Sequence, residues 1–268
     1  MFTRKPDTEL GTLRTLLLVV FVLAIPVALV TTTIRAVISE QRVYDYSVRE
    51  FDAEAASGIP EPELIRANGD IRDYLAADSS NSLAIRVTDD TGEDVALFNA
   101  REVVHMRDVQ DLVQVMFTVQ MVSVALVLTL AVIMVALWPV RVLAAGLLYG
   151  AFLTGTLFAV AGVVALSGFD SAWSQFHGVA FTNDLWQLDP DRDHLIQMFP
   201  EEFWFQATTL IAGAVLLEAI LMATLATVWL VFVKETPSIA RELERVPLPG
   251  RAGHSRLTGP DARPAARP

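Results

Sequence analysis

Two of the four histidines in the sequence, His105 and His177, could carry acid–base chemistry. Imidazole exchanges protons near neutral pH because its ordinary pKa is about 6.5. Two such rings can divide the work of a group transfer, since one takes a proton from a nucleophile while the other stabilises or protonates an oxygen. The rings lie far apart in the sequence, so they can cooperate only if the fold brings them together. Otherwise each is an ordinary surface residue.

Other kinds of active site have weaker support. By residue type, zinc could be bound by His105, Asp108, His177, Asp184 and His194. However, the sequence has no H-E-x-x-H and no other recognised metal spacing, so we assign no metal and no cofactor. There are no cysteines, which excludes disulfides, thiolate metal sites and cysteine nucleophiles. A G-x-S-x-G serine motif and a phosphate-binding loop are also missing.

Four long apolar runs predict membrane-spanning helices. The chain is 53% hydrophobic with a mean hydropathy of +0.45, and each run can cross a hydrocarbon core of about 30 Å. The first run is too long for a signal peptide and lacks a convincing cleavage site, so we interpret it as an uncleaved span. The predicted fold is an all-α membrane protein with four transmembrane helices, at 16–38, 112–138, 142–167 and 206–233.

The distribution of charge predicts the orientation. Lys and Arg are concentrated in 1–15 and 234–268, whereas 39–111 and 168–205 are rich in Asp and Glu. Because cytoplasmic segments carry the excess of basic residues, we expect both chain ends to be cytoplasmic and both acidic segments to be extracytoplasmic. The protein is therefore predicted to be a multi-pass protein of the plasma membrane. The tail 234–268 is rich in Pro and Arg and is expected to be disordered.

The first extracytoplasmic segment is too long for a bare loop, which predicts a small α/β insertion between the first two spans. We expect a helix over 62–76, followed by two short strands around a turn at 89–92. Asn99 and Glu102 form a capping-box pattern. The helix that begins there carries His105 and leads directly into the second span.

The second extracytoplasmic segment is rich in aromatic residues, which favour the headgroup level of a bilayer. It is predicted to lie on or in the outer leaflet, with a turn and a short helix over 188–200. A plain aromatic belt is the alternative interpretation. A belt does not need the polar residues His177, Asn183 and Asp184, which are interleaved with the aromatic ones.

Two features of the spans predict partners inside the bundle. Gly146 and Gly150 form a G-x-x-x-G pattern, which lets a neighbouring helix approach closely. Glu218 lies in the middle of the fourth span, where an ionisable residue belongs either to a proton path or to a polar pair with another helix.

The motifs around both histidines resemble those of a known family. The stretch 97–109 is similar to an H-M-x-D-V region of the bacterial membrane-protein family that includes the lipoprotein intramolecular transacylase. The stretch 176–186 resembles that family's second signature, and 189–193 and 195–200 continue the likeness. The resemblance extends over 16–233.

This resemblance implies an enzyme that moves an acyl chain from the sn-2 ester of a lipoprotein's diacylglyceryl-cysteine to its own α-amine. It implies that His105 and His177 are catalytic, and that the partners are the phospholipid bilayer and the diacylated N-terminus of a lipoprotein. No nucleic acid is expected.

Four neighbours of the histidines are candidates for supporting roles. By position, Asp108 and Asp184 could orient the rings through hydrogen bonds, while Asn183 and Trp186 could shape the pocket. Two alternatives to a transacylase stay open at this point. One is a non-enzymatic membrane protein such as a sensor or assembly factor, and the other is a lipid-ester or metal-dependent hydrolase.

Overall fold

The structure is a computed structural model that describes residues 6–77 and 82–232. The predicted disordered tail, 234–268, lies outside the described residues. In chain order, the elements are α1 (Pro6–Ser39), α2 (Gln41–Glu50), α3 (Ala53–Ser57), α4 (Glu61–Ala76), β1 (Arg86–Thr88), β2 (Asp94–Ala96), α5 (Ala100–Leu137), α6 (Val140–Ser167), α7 (Phe169–Ala180), α8 (His194–Met198) and α9 (Glu201–Phe232).

Four of these helices, α1, α5, α6 and α9, are long and apolar enough to cross a membrane. The remaining short helices and the two-stranded sheet lie between α1 and α5 or between α6 and α9. This arrangement confirms the predicted fold class of four membrane helices with a small α/β insertion. The aromatic segment after α6 contains one element that the sequence did not predict, the helix α7.

The bundle is packed around α1 and α6. A Cβ atom on Gly146 would come within 2.9 Å of the Phe21 ring, and one on Gly150 would collide with Ile25. Phe21 and Ile25 are almost fully buried. The close approach predicted from the glycine spacing is therefore confirmed, because only hydrogen side chains fit at these two positions.

Glu218 pairs with a neighbouring helix, as one of the two interpretations expected. Its carboxylate oxygens lie 3.0 and 3.1 Å from the hydroxyl of Thr33, which is buried on α1. The hydroxyl can donate to one oxygen at a time. This contact ties α9 to α1 inside the bundle.

The insertion shares one hydrophobic core with α5, α8 and the start of α9, and it is also hydrogen-bonded to α5. Its hairpin pairs β1 with β2 in the antiparallel register Val87↔Val95, which confirms the two predicted strands. The Gln110 side-chain amide donates to the carbonyl oxygens of Tyr74 and Ala77 at 2.6 and 3.0 Å, at the carboxyl end of α4. These bonds satisfy carbonyls that a helix end leaves unpaired.

The helix α5 begins in the insertion and continues without a break into the membrane span. Asn99 accepts hydrogen bonds from two backbone N–H groups of the first turn, and Glu102 accepts one from the Asn99 backbone, so the predicted capping box is confirmed. The charged side chains of α5 are confined to residues 100–111, and residues 112–137 carry none.

Candidate active site

The two candidate histidines meet although they lie on different helices. His105 projects from the charged start of α5 and His177 from α7, and their ring centroids are 6.3 Å apart. The two residues are only 6% and 7% exposed. At this separation both rings are close enough to act on one reacting group.

His177 is oriented by its own helix. Its Nδ1 lies 2.9 Å from the carbonyl oxygen of Trp173, one turn earlier in α7. Because a carbonyl oxygen only accepts, Nδ1 carries the hydrogen and the neutral ring presents a lone pair at Nε2. The ring of Trp186 stacks on the imidazole at 4.9 Å. Nε2 of His177 is therefore available as a proton acceptor.

His105 occupies a more apolar environment. Its ring meets the edge of Phe181 at 5.2 Å, and its buried Nδ1 has no hydrogen-bond partner among the residues that the structure describes. The pKa of His105 is lowered to about 4, mainly by burial and to a smaller extent by the nearby His177 and Arg101, while Asp108 opposes the shift. His105 is therefore neutral at physiological pH.

The pKa of His177 is also lowered by burial, while the hydrogen bond to the Trp173 carbonyl opposes this shift. Protonation of either ring would introduce a charge into the aromatic pocket. Both imidazoles can thus act as neutral groups at neutral pH. In His177, the acceptor nitrogen Nε2 has a defined orientation.

The carboxylates expected to orient the rings make other contacts. Asp108 accepts a hydrogen bond from the side-chain amide of Asn183 at 2.8 Å, and the Asn183 carbonyl oxygen accepts one from the Leu185 backbone N–H at 3.0 Å. Asp184 contributes its backbone carbonyl oxygen, which accepts from Arg101 at 2.7 Å. These residues hold the segment that surrounds His177 and do not hydrogen-bond to an imidazole.

Arg101 belongs to the site and was missed in the sequence analysis. Its guanidinium donates to the carbonyl oxygens of Asp184 and Gln187, both at 2.7 Å, and weakly to Leu185 at 3.4 Å. A signal was present in the sequence, because Arg101, His105 and Asp108 recur at positions i, i+4 and i+7. This spacing places the three side chains on one face of a helix.

Glu102, Asp193 and His194 make structural contacts near the start of α5. The buried Glu102 accepts a hydrogen bond from the Leu195 backbone N–H at 2.7 Å, and Asp193 accepts one from the Asn99 side chain at 2.8 Å. The His194 ring contacts the Leu97 carbonyl oxygen. Within 6–77 and 82–232, no group of three or more His, Cys, Asp or Glu side chains could hold a metal ion.

Aromatic rings connect α7 to the top of the membrane bundle. Trp173 stacks on Trp204 of α9 at 5.1 Å, and Phe169 meets Phe205 edge-on at 5.2 Å. Val179, on the outer face of α7, is 90% exposed. Trp is enriched at membrane–water boundaries, which agrees with the headgroup level predicted for this segment from the sequence.

An apolar groove descends from this aromatic layer. It is shallow and open, is lined by residues of α9 alone from Phe205 to Leu217, and passes the small residues Gly213 and Ala214. Since Phe205 also contacts Phe169 of α7, the groove begins beside the helix that carries His177.

Known proteins are similar to this chain in sequence and in fold. The family model described as lipoprotein intramolecular transacylase Lit matches residues 19–204. The solved structure of the lipoprotein intramolecular transacylase Lit from Bacillus cereus is 20% identical, with a TM-score of 0.69, and the match covers 81% of this chain and 95% of that chain. No curated protein matches the chain.

A variant of the same Bacillus cereus protein with a histidine-to-alanine substitution matches at 19% identity and a TM-score of 0.68, covering 83% of this chain and 96% of that chain. At this identity the solved structures establish the shared fold. The family model spans more than half of the chain and includes both histidine segments. The resemblance seen in the sequence is therefore confirmed, and the chain belongs to the lipoprotein intramolecular transacylase family of membrane acyltransferases.

Proposed function

We propose that the protein moves an acyl chain from the sn-2 ester of a lipoprotein's diacylglyceryl-cysteine to the α-amine of the same cysteine. The observation that carries this proposal is the meeting of two buried imidazoles, 6.3 Å apart, beside a helix with an apolar, exposed face. Amine and ester belong to one molecule, so the protein needs mainly to orient them and to transfer a proton.

His177 is the proton carrier in this proposal. The amine nitrogen attacks the ester carbonyl carbon, and His177 Nε2 removes the amine proton as the C–N bond forms. The C–O bond to the glyceryl oxygen then breaks, and the same proton passes from His177 to that oxygen. The products are an amide and a free hydroxyl. The bond from Nδ1 to Trp173 supports this role, because it keeps the acceptor nitrogen directed away from the backbone.

His105 stabilises the negative charge that develops on the carbonyl oxygen. As a neutral ring with its hydrogen on Nε2, it can donate to this oxygen, in the manner of an oxyanion hole. Its low pKa of about 4 keeps it neutral at the pH of a cell exterior. Asp108, Asn183 and Trp186 act indirectly, by holding the segment around His177.

The substrate approaches from the outer leaflet in this proposal, with both chain ends of the protein in the cytoplasm. The exposed apolar face of α7 and the groove along α9 can accommodate acyl chains while the polar head of the substrate reaches the two rings. The acidic insertion would then face the exterior, as the distribution of basic residues predicts.

Ester hydrolysis at the same rings is a second candidate, because water could replace the amine. The low exposure of both histidines, 6% and 7%, favours transfer over hydrolysis since it limits the access of water.

Mass spectrometry distinguishes the two reactions after the purified protein has been incubated in lipid vesicles with a synthetic diacylglyceryl-cysteine lipopeptide. Transfer leaves the total mass unchanged, yields an N-acyl-cysteine fragment and removes the amine from reach of an amine-reactive label. Hydrolysis lowers the mass by one acyl group and leaves the amine reactive. An unchanged lipopeptide would count against both reactions.

A further inference from the structure

Arg101 joins the two chain segments that carry the candidate histidines. It lies one turn before His105 on α5 and donates to the carbonyl oxygens of Asp184, Leu185 and Gln187, at 2.7, 3.4 and 2.7 Å. Bonds from a charged donor to several carbonyls are stronger than neutral ones. A planar guanidinium has five N–H donors in fixed directions, so it can hold several acceptors at once.

The residues on the same face of α5 hold neighbouring parts of the same segment. Two turns after Arg101, Asp108 accepts a hydrogen bond from the Asn183 amide at 2.8 Å. Between them, His105 contacts the ring of Phe181 at 5.2 Å. The segment 181–187 is therefore attached to α5 at two points, with His105 between them.

This attached segment forms one wall of the pocket around His177. Trp186 stacks on the His177 ring at 4.9 Å, with 28° between the planes, and Phe181 lies 5.6 Å from the same ring. The backbone carbonyls on either side of Trp186, those of Leu185 and Gln187, both accept from Arg101. The guanidinium thus binds the backbone on both sides of Trp186.

We propose that Arg101 is a positioning residue that sets the separation of the two imidazoles by holding the segment 181–187 against α5. This inference rests on the proposed two-histidine function. Removing the guanidinium takes away its bonds to the carbonyls of Leu185 and Gln187 and leaves that of Asp184 with the Gln187 backbone N–H alone, at 3.2 Å. Trp186 and His177 then shift relative to His105. Displacements of about 1 Å can cost about 100-fold in rate when two groups must be aligned.

The test compares Arg101→Gln, Arg101→Lys and the control Arg42→Gln, each in the full-length protein in lipid vesicles. Arg42 lies on α2 of the insertion with a side chain that is 93% exposed. Transfer rates with the synthetic lipopeptide give kcat and KM. We expect kcat to fall about 100-fold for Arg101→Gln and about 10-fold for Arg101→Lys, with KM nearly unchanged, and Arg42→Gln to match the wild type.

A second measurement does not depend on activity. With carbon-13 in the histidine rings, NMR titration gives the pKa of His105 with and without the substitution His177→Ala. In the wild-type background this substitution should raise the pKa of His105, because the electrostatic repulsion from His177 is removed. In Arg101→Gln and Arg101→Lys the same substitution should change the pKa much less. Arg101→Lys keeps the positive charge. A weaker interaction between the two imidazoles in this variant would therefore show that their separation has changed.

Wild-type kcat together with an intact ring–ring interaction in both Arg101 variants would overturn the positioning role and leave the proposed function standing. Lost kcat with an intact interaction would also overturn it, since Arg101 would then act on the substrate directly. If His105→Ala and His177→Ala transfer acyl chains at the wild-type rate, the two-histidine function itself is wrong. Thermal unfolding checks that each variant is folded. If Arg101→Gln is unfolded, the outcome is taken from Arg101→Lys.

Discussion

His177 donates its Nδ1 hydrogen to the carbonyl oxygen of Trp173, 2.9 Å away and one turn earlier in the same helix. The bond defines which nitrogen of the ring can accept a proton, and it needs no carboxylate to do so. Many histidine bases are oriented by an acidic residue, as we expected here from Asp184. In this protein the helix backbone supplies the acceptor, and the acidic neighbours hold the surrounding segment instead.

Substitution of His177 can distinguish the roles of its two ring nitrogens. His177→Asn keeps an N–H group near the position of Nδ1 but has no group that can accept a proton at the position of Nε2. We expect it to transfer acyl chains about 100- to 10,000-fold more slowly than the wild type, like His177→Ala, because general base catalysis is lost. His105→Ala should cost about 100- to 1,000-fold, as loss of an oxyanion donor does. Initial rates with the lipopeptide measure both, and a variant above a tenth of the wild-type rate would contradict the assigned role.

Acidification should destabilise the protein through His105. In the folded protein its pKa is about 4, whereas an unfolded chain has the ordinary value of about 6.5. Between these values the unfolded state binds more protons, so the free energy of unfolding falls as the pH drops from about 6.5 towards 4. Thermal unfolding in detergent, measured across this range, should show a smaller dependence on pH for His105→Gln. An equal slope in both proteins would mean that His105 titrates normally.

The charges that face His105 predict the direction of further shifts in its pKa. The charge of Asp108 raises the pKa of His105. In Asp108→Asn this charge is lost, so His105 should titrate at a lower pH than in the wild type. His177→Ala should raise the pKa of His105, because the electrostatic repulsion from His177 and part of the burial are both removed. Histidine NMR titrations measure these changes. Opposite signs for either variant would contradict the electrostatic description of the pocket.

The glycines of α6 offer a matched test of bundle packing. A methyl group at Gly150 meets the side chain of Ile25, whereas one at Gly155 has no other atom within 4 Å. Gly150→Ala should therefore lower the free energy of unfolding by about 1–3 kcal/mol through overpacking. Gly155→Ala should leave it unchanged or raise it slightly, since alanine favours helices. Thermal unfolding in detergent compares the two, and equal stability would argue against close contact between α1 and α6.

The proposed orientation can be tested with single introduced cysteines, because the sequence has no native cysteine to remove. Thr91→Cys places a thiol in the exposed turn between β1 and β2, and Pro139→Cys places one between α5 and α6. In intact cells, a membrane-impermeant maleimide should label the first and spare the second. Both should react after lysis. Labelling of Pro139→Cys alone in intact cells would reverse the proposed orientation.

Local signals predicted much of the fold. The apolar runs identified the four long helices, and the Asn99–Glu102 pattern identified the start of α5, because capping depends on residues close in sequence. The hairpin followed from alternation around a turn. The helix α7 was missed, since its aromatic residues were interpreted only as a membrane-interface segment.

Contacts between distant segments were harder to predict. The sequence could identify His105 and His177 as candidates, but their separation depends on how α7 packs against α5. The bonds from Arg101 to backbone carbonyls involve no complementary side chain, so no pair of residues in the sequence indicated them. The same holds for the acceptor of His177 Nδ1, which is a carbonyl oxygen of its own helix.

The unbroken helix α5 has a mechanical consequence. Its 38 residues extend for about 57 Å from the insertion to the far end of the bundle, and His105 lies on its second turn. No break in the helix separates the His105 ring from the membrane-spanning part of α5. The height of this ring above the bilayer therefore depends on how deeply that part of the helix is inserted. A thicker or thinner bilayer would raise or lower the ring relative to the ester plane of the lipids. Turnover in vesicles of graded acyl-chain length should accordingly have an optimum thickness.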